Sequence, residues 1–291
     1  MTPYRFDFLL AGATGQIGKL LNVYLQSYGS VYKVTRSTEE LPPARHVINA
    51  GGYTLFDSNV AAYWNDNIRL SVVLAHHAQA TGAMYHQLSS EAVAEYRTTP
   101  LPETVKGPAA HPKMIDYALS KVLMEAAVAS IVDPVRLSVY RCSDVVPPYA
   151  GDIGRYWRNN HWLAILFAAG RDGFAQNDDF PVWIAPLDEL VRALVILIRE
   201  SHGGAYHLLG SRYTWRQFHS TAMDLDESEY RKTLVKRVTP VVRIDPPLAT
   251  CIYAKRTDAL LKDSYEFEWS ILPKEYWQIF AKYAIYKEKT S

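Results

Sequence analysis

Short apolar runs alternate with longer stretches in which apolar residues return every three or four positions. Phe6-Asp7-Phe8-Leu9-Leu10-Ala11 reads as a buried strand and Gly12-Ala13-Thr14-Gly15 as a turn. A helix over 16–28 follows, with Ile17, Leu20, Leu21, Tyr24 and Leu25 on one side. The same reading predicts strands at 31–35 and 46–49, a helix over 61–80, a strand at 84–88, a helix over 115–132 and a strand at 136–140. Strands alternating with helices point to an α/β fold built on a doubly wound, mostly parallel Rossmann-type sheet.

After Tyr140 the pattern changes. Pro147-Pro148 breaks the chain, and Tyr156, Trp157, Trp162 and Phe167 enrich the next stretch in aromatic residues. A strand at 182–184, a helix over 187–199 and a strand at 205–208 follow, then a less regular stretch with Pro246-Pro247 and an aromatic C-terminus. The expected division is a dinucleotide-binding part over 1–146, to which 182–210 returns, and a smaller substrate-binding part over 147–291. Trp157 and Trp162 read more simply as core than as walls of a substrate pocket.

Composition narrows the class. The chain has 291 residues, 48 % hydrophobic and 21 % charged, with a net charge of +1, so charge gives no argument for nucleic acid or an anionic membrane. The apolar stretch 162–169 is too short to span a bilayer. Cys142 and Cys251 form neither a disulfide framework nor a metal-ligand spacing. No signal-peptide pattern precedes the first strand, and a cytoplasmic setting is expected. His76 and His77 lie mid-helix without a spaced partner, so no metal is expected. His111-Pro112 reads as loop, and 282–289 as a solvated helix end.

Gly12-x-x-Gly15-x-x-Gly18 sits between the first strand and the first helix. Glycines there permit a tight turn and close backbone approach to a pyrophosphate, and the helix N-terminus supplies amide donors. At the end of the second strand a carboxylate would hold a ribose hydroxyl, whereas an arginine accepts a 2′-phosphate. Thr35-Arg36-Ser37 stands there, with no carboxylate until Glu39, so NADP(H) is the expected cofactor.

Tyr117 and Lys121 share one face of the 115–132 helix, one turn apart. A free tyrosine titrates near pH ~10 and is a poor acid or base at neutrality. A neighbouring ammonium, with the oxidised nicotinamide, is expected to pull it toward the working range. Tyr283 and Lys287 have the same spacing, so the pattern alone carries little. Its weight comes from Leu88-Ser89-Ser90 at the end of the preceding strand, on the sheet edge where such folds bind ligands. Ser90 is the expected hydrogen-bond partner of the substrate oxygen, with Ser89 as the alternative.

Together these residues resemble the short-chain dehydrogenase/reductases, in their extended, epimerase-like branch. Val47-Ile48-Asn49-Ala50-Gly51-Gly52-Tyr53-Thr54 looks like the fourth-strand segment of dehydrorhamnose reductases. Asn67 stands where the family has an asparagine opening its dimer-forming helix, and 139–147 is similar to the loop that approaches the nicotinamide. Tyr140-Arg141, then Gly151-Asp152-Ile153-Gly154, then 183–191 follow the order seen in thioester reductase domains. The resemblance implies catalysis by Ser90, Tyr117 and Lys121. It implies a dinucleotide held by Gly12, Thr14, Gly15, Gln16, Ile17, Gly18, Arg36, Ser37, Asn49, Ala50, Gly51, Asn67, Tyr117, Lys121 and Cys142. It also implies a homodimer formed through the 61–80 and 115–132 helices. Two departures stand out. The segment from Arg36 to His46 is too short for the usual helix and strand, so the sheet is expected one strand short. Glu91-Ala92 lacks the acidic pair that dehydratases of this branch place after the hydroxyl residue.

The reading that follows is an NADPH-dependent reductase of a ketone, aldehyde or carrier-bound thioester. The alternatives are a nucleotide-sugar epimerase or 4-keto reductase, and a non-catalytic NADP(H)-binding regulator.

Overall fold

The computed structural model describes residues 3–35, 37–54, 59–94, 101–105, 110, 114, 116–147, 181–200, 203–214, 254–273 and 275–276. The calls on Arg36, His111-Pro112, the aromatic segment 156–167, Gly151 to Gly154, Cys251 and Tyr283/Lys287 lie outside the described residues.

Six parallel strands form the main sheet: β1 (Phe6–Ala11), β2 (Val31–Val34), β3 (Ala44–Asn49), β4 (Met84–Ser90), β5 (Leu137–Cys142) and β8 (Gly204–Leu208), in the order β2-β1-β3-β4-β5-β8. β2 ends the sheet where one further strand was expected to be missing. β6 (Asp144–Val146), β7 (Pro181–Pro186) and β9 (Ser211–Thr214) make a second, three-stranded sheet in the order β6-β7-β9. Of the stretch expected to return to the main sheet, β8 pairs beside β5, whereas β7 pairs β6 and runs antiparallel to β9.

Helices cover both faces. α1 (Gln16–Gln26) and α5 (Leu187–Glu200) pack on one side, with Leu21, Leu25, Leu190 and Leu194 against Phe8, Leu10, Ile48 and Tyr140. On the other side α2 (Val60–Ala62), a π-helical turn (Tyr63–Arg69) and α3 (Leu70–Thr81) run on from one another. α3 and α4 (Asp116–Ile131) set Leu74, Ala75, Ala78 and Val128 against Leu9, Val47, Tyr85 and Val139. Because both faces are buried, the strands do not alternate apolar with polar positions, and the polar residues they carry, such as His86, Gln87 and Ser138, are buried as well. α3 stops at Gly82, whose φ of +73° is the left-handed cap. α6 (Lys255–Tyr265) and β9 are elements the sequence pattern did not predict. No helix among the described residues is long and apolar enough to cross a membrane.

A polar ladder crosses the middle of the sheet. His46 Nδ1 lies 3.1 Å from His86 Nε2, and His86 Nδ1 lies 2.9 Å from the Tyr140 hydroxyl, which stacks in turn on Tyr206. The His46–His86 contact needs one donor and one acceptor, so the two rings cannot both be charged. Burial, reinforced by the Arg45 charge, holds His46 down at about 4, and burial holds His86 well below its ordinary value. Unfolding frees both to take a proton near pH ~6.5. The ladder's contribution is therefore complete above that pH and is lost as the pH falls toward the folded values. We expect urea unfolding at pH 5 to show a stability about 2–4 kcal/mol below that at pH 7.5, for two such groups. A flat stability between these pH values would mean that the ladder accommodates a charge.

Candidate active site

The C-terminal ends of β1, β3, β4 and β5 converge on one edge of the sheet, and each supplies part of the site. At the end of β1, Gly12 has φ +79°, and a Cβ there would lie 2.3 Å from the Gly51 amide. A Cβ on Gly18 would lie 2.0 Å from the Gly12 carbonyl. These two glycines are required by the chain's own backbone. Gly15 is different: its amide bonds the Gly12 carbonyl at 3.0 Å, and a Cβ would meet nothing closer than 3.4 Å. Thr14 and Gly15 are exposed, so the turn presents an open face. α1 starts after Gly15 with no side-chain cap and no acidic residue in its first turn. The amides of its first turn and its positive end suit a pyrophosphate. Ser37 bonds the Thr35 hydroxyl at 2.9 Å beyond β2.

Asn49 and Asn67 are fully buried and bind the chain itself. Asn49 accepts from the Gly51 amide at 3.1 Å and donates to Ser71 Oγ at 2.8 Å. Asn67, in the π-helical turn, accepts from the Tyr53 amide at 2.7 Å and donates to the Tyr53 carbonyl and to Ser120 Oγ. Both asparagines shape the loop after β3, and Asn67 ties it to the helix that carries Tyr117. Gly52 completes the contact: a Cβ there would lie 3.2 Å from Lys121 Nζ and 2.8 Å from Asn67 Oδ1.

Ser90, Tyr117 and Lys121 come together. Ser90 Oγ accepts from the Ala92 amide at 3.2 Å and is close enough to Tyr117 to lower its phenol, and Lys121 Nζ sits 5.7 Å from the centre of the Tyr117 ring. Ser89 is spent elsewhere, donating to Glu125 Oε1 at 2.6 Å, which separates the two serines. Burial pushes the Tyr117 phenol up to about 12, against the influence of Ser90, with Cys142, Asp144 and Tyr63 adding to the rise. The Lys121 ammonium lies toward the ring, and burial pulls it down to about 8. Cys142, opposite Ser90 in the sheet, is buried and pushed up to about 12.

Sequence reasoning missed several neighbours. Glu91, raised well above its usual range by burial and by Asp144, has a buried Oε2 without a hydrogen-bond partner among the described residues. Asp144 comes from β6, and no spacing in the sequence links it to Glu91. Glu125 and Arg141 form a fully buried ion pair behind the trio. Their signal was available: one charge within an apolar helix and one within the apolar strand Leu137–Cys142.

No family model and no curated protein sequence matches the chain. Solved structures do. The thiolation-reductase di-domain from an archaeal non-ribosomal peptide synthetase superposes with a TM-score of 0.75 at 15 % identity, covering 98 % of this chain and 76 % of that one. A dTDP-4-dehydrorhamnose reductase from Clostridium acetobutylicum gives 0.60 at 18 % identity, covering 98 % and 100 %. The Bordetella bronchiseptica enzyme WbmH, in complex with NAD+, gives 0.64 at 15 %, covering 98 % and 100 %. The chain has the fold of the extended short-chain dehydrogenase/reductases.

Proposed function

We propose that the chain is an NAD(P)-dependent oxidoreductase working in the reducing direction with NADPH, on a ketone, aldehyde or carrier-bound thioester. The observation that carries this reading is Lys121 Nζ 5.7 Å from the Tyr117 ring, with Ser90 beside them, on the same sheet edge as the glycine turn. Ser90 orients a carbonyl oxygen, and Tyr117 donates the proton as that oxygen gains charge. A phenol pushed up to about 12 is protonated at neutral pH, the state a proton donor needs, whereas oxidation would begin from the phenolate. Lys121 binds the ribose of the dinucleotide, whose nicotinamide supplies the hydride. The thioester class is favoured by the likeness to reductase domains of peptide synthetases. The nucleotide-sugar reading rests on the likeness to WbmH and to dehydrorhamnose reductases. The complete serine, tyrosine and lysine set argues against a silent binding protein.

A homodimer through α3 and α4 belongs to the same proposal. Trp64, Val73 and Leu123 offer exposed apolar surface there, while Val122 and Val128 face the protein's own core.

The test is to incubate pure protein and substoichiometric NADPH with phosphopantetheine thioesters, simple carbonyls and nucleotide-sugar ketones. Consumption of the reduced cofactor in step with product supports reduction. Full conversion without loss of reduced cofactor makes the protein an epimerase. Cofactor choice is tested by calorimetry: Arg36→Ala should weaken NADPH binding by about 1.5–3 kcal/mol, as for a charged hydrogen bond, and leave NADH unaffected. Equal affinities of the parent protein for the two cofactors would remove the argument for NADPH.

A further inference from the structure

Behind the trio, on the α4 side of the sheet, Ser89, Arg141 and His207 stand opposite one another on β4, β5 and β8. Glu125 closes this row from α4, one turn after Lys121. Glu125 Oε1 accepts from Ser89 Oγ at 2.6 Å and from Arg141 Nε at 3.2 Å, and Oε2 accepts from Arg141 Nη2 at 2.8 Å. The remaining guanidinium hydrogens go to the Pro102 carbonyl, the Thr104 carbonyl and His207 Nε2. All five donors of Arg141 are thus used, and both charges are cut off from solvent. Removing such charges from water costs at least as much as their attraction returns, and well-packed apolar residues often stabilise as well or better. Stability therefore does not account for the pair, but its position does. Its three anchors are the immediate neighbours of site residues: Ser89 precedes Ser90, Arg141 precedes Cys142, and Glu125 lies four residues after Lys121 on the same helical face.

We propose that the Glu125–Arg141 pair is the positioning element of the reaction centre, holding Lys121 on α4 and Ser90 on β4 in register with Tyr117. The inference rests on the role proposed above for Lys121. The groups that face the Lys121 ammonium are Tyr117 and Glu125 from its own helix, Cys142 from β5, and Asn67 with Gly52 beyond it. Cys142 first, and then the Glu125 carboxylate, oppose the burial that drives the ammonium toward neutrality. Glu125 acts through Lys121 and touches no substrate.

The test follows the Lys121 side chain in protein labelled with carbon-13 in its lysines, assigned with Lys121→Met and titrated by magnetic resonance without cofactor. In the parent protein the Lys121 signal should titrate near pH 8. In Glu125→Gln the midpoint should fall by about one pH unit, the scale of a neighbouring charge, and in Glu125→Asp it should largely recover. Glu125→Gln strands the Arg141 charge, so the double variant Glu125→Leu/Arg141→Met is the companion that keeps a neutral, packed interior. It should show a fall of the same sign. A Lys121 midpoint unchanged in whichever of these variants folds overturns the proposal. Adding NADPH to the parent and asking whether the Lys121 signal moves tests the cofactor reading separately.

Discussion

Tyr117→Phe is expected to lower turnover by about 100-fold or more while leaving the fold and dinucleotide binding intact, the scale of a lost proton donor. The substitution removes only the hydroxyl. The ring keeps its place between Tyr63 and Lys121, so packing gives no reason for unfolding. What disappears is the hydroxyl that, in the proposed reaction, delivers a proton to the substrate oxygen. Tyr283→Phe is the internal comparison, because Tyr283 and Lys287 repeat the same spacing. Steady-state kinetics of the two variants, with circular dichroism to confirm folding, decide the matter. Loss of activity in Tyr283→Phe with retention in Tyr117→Phe would place the chemistry on the other pair.

Gly18→Ala should have the second large effect, and on stability as well as binding. Its Cβ would lie 2.0 Å from the Gly12 carbonyl, a backbone atom that cannot swing away. Either α1 shifts from the turn or the turn opens, at a cost of about 1–3 kcal/mol for forced repacking. Dinucleotide affinity should fall with it, because the turn's shape is what brings amides to the pyrophosphate. Gly15→Ala provides the contrast. With its nearest neighbour at 3.4 Å, an added methyl fits the empty protein and obstructs only what approaches the exposed turn. Thermal melts and cofactor titration together separate the two cases. A Gly18→Ala protein as stable as the parent would show that the turn is looser than its contacts indicate.

The strands and helices of the sheet were legible because apolar spacing is a local signal. Phe8–Ala11 is an unbroken apolar stretch, Gly204–Leu208 is interrupted only by His207, and α5 shows a clear amphipathic period. The π-helical turn at Tyr63–Arg69 was not legible, since its residues suit an ordinary helix. Its geometry comes from Asn67 bonding the Tyr53 backbone, fourteen residues upstream. β9 is short and edge-placed, and α6 is too polar for its period to stand out.

By itself the sequence determined where backbone must pass close to backbone and which residue types could do chemistry. Gly12 and Gly18, the Tyr117–Lys121 spacing and the hydroxyl pair at the end of β4 were all present in the order of residues. Tertiary structure alone separated the two serines, because Ser89 and Ser90 are adjacent in sequence and diverge only once Ser89 donates to Glu125 and Ser90 accepts from the Ala92 amide. It also decided the protonation of the site. Burial pushes the Tyr117 phenol up and pulls the Lys121 ammonium down, and that burial exists only when β4, β5 and α4 are packed together.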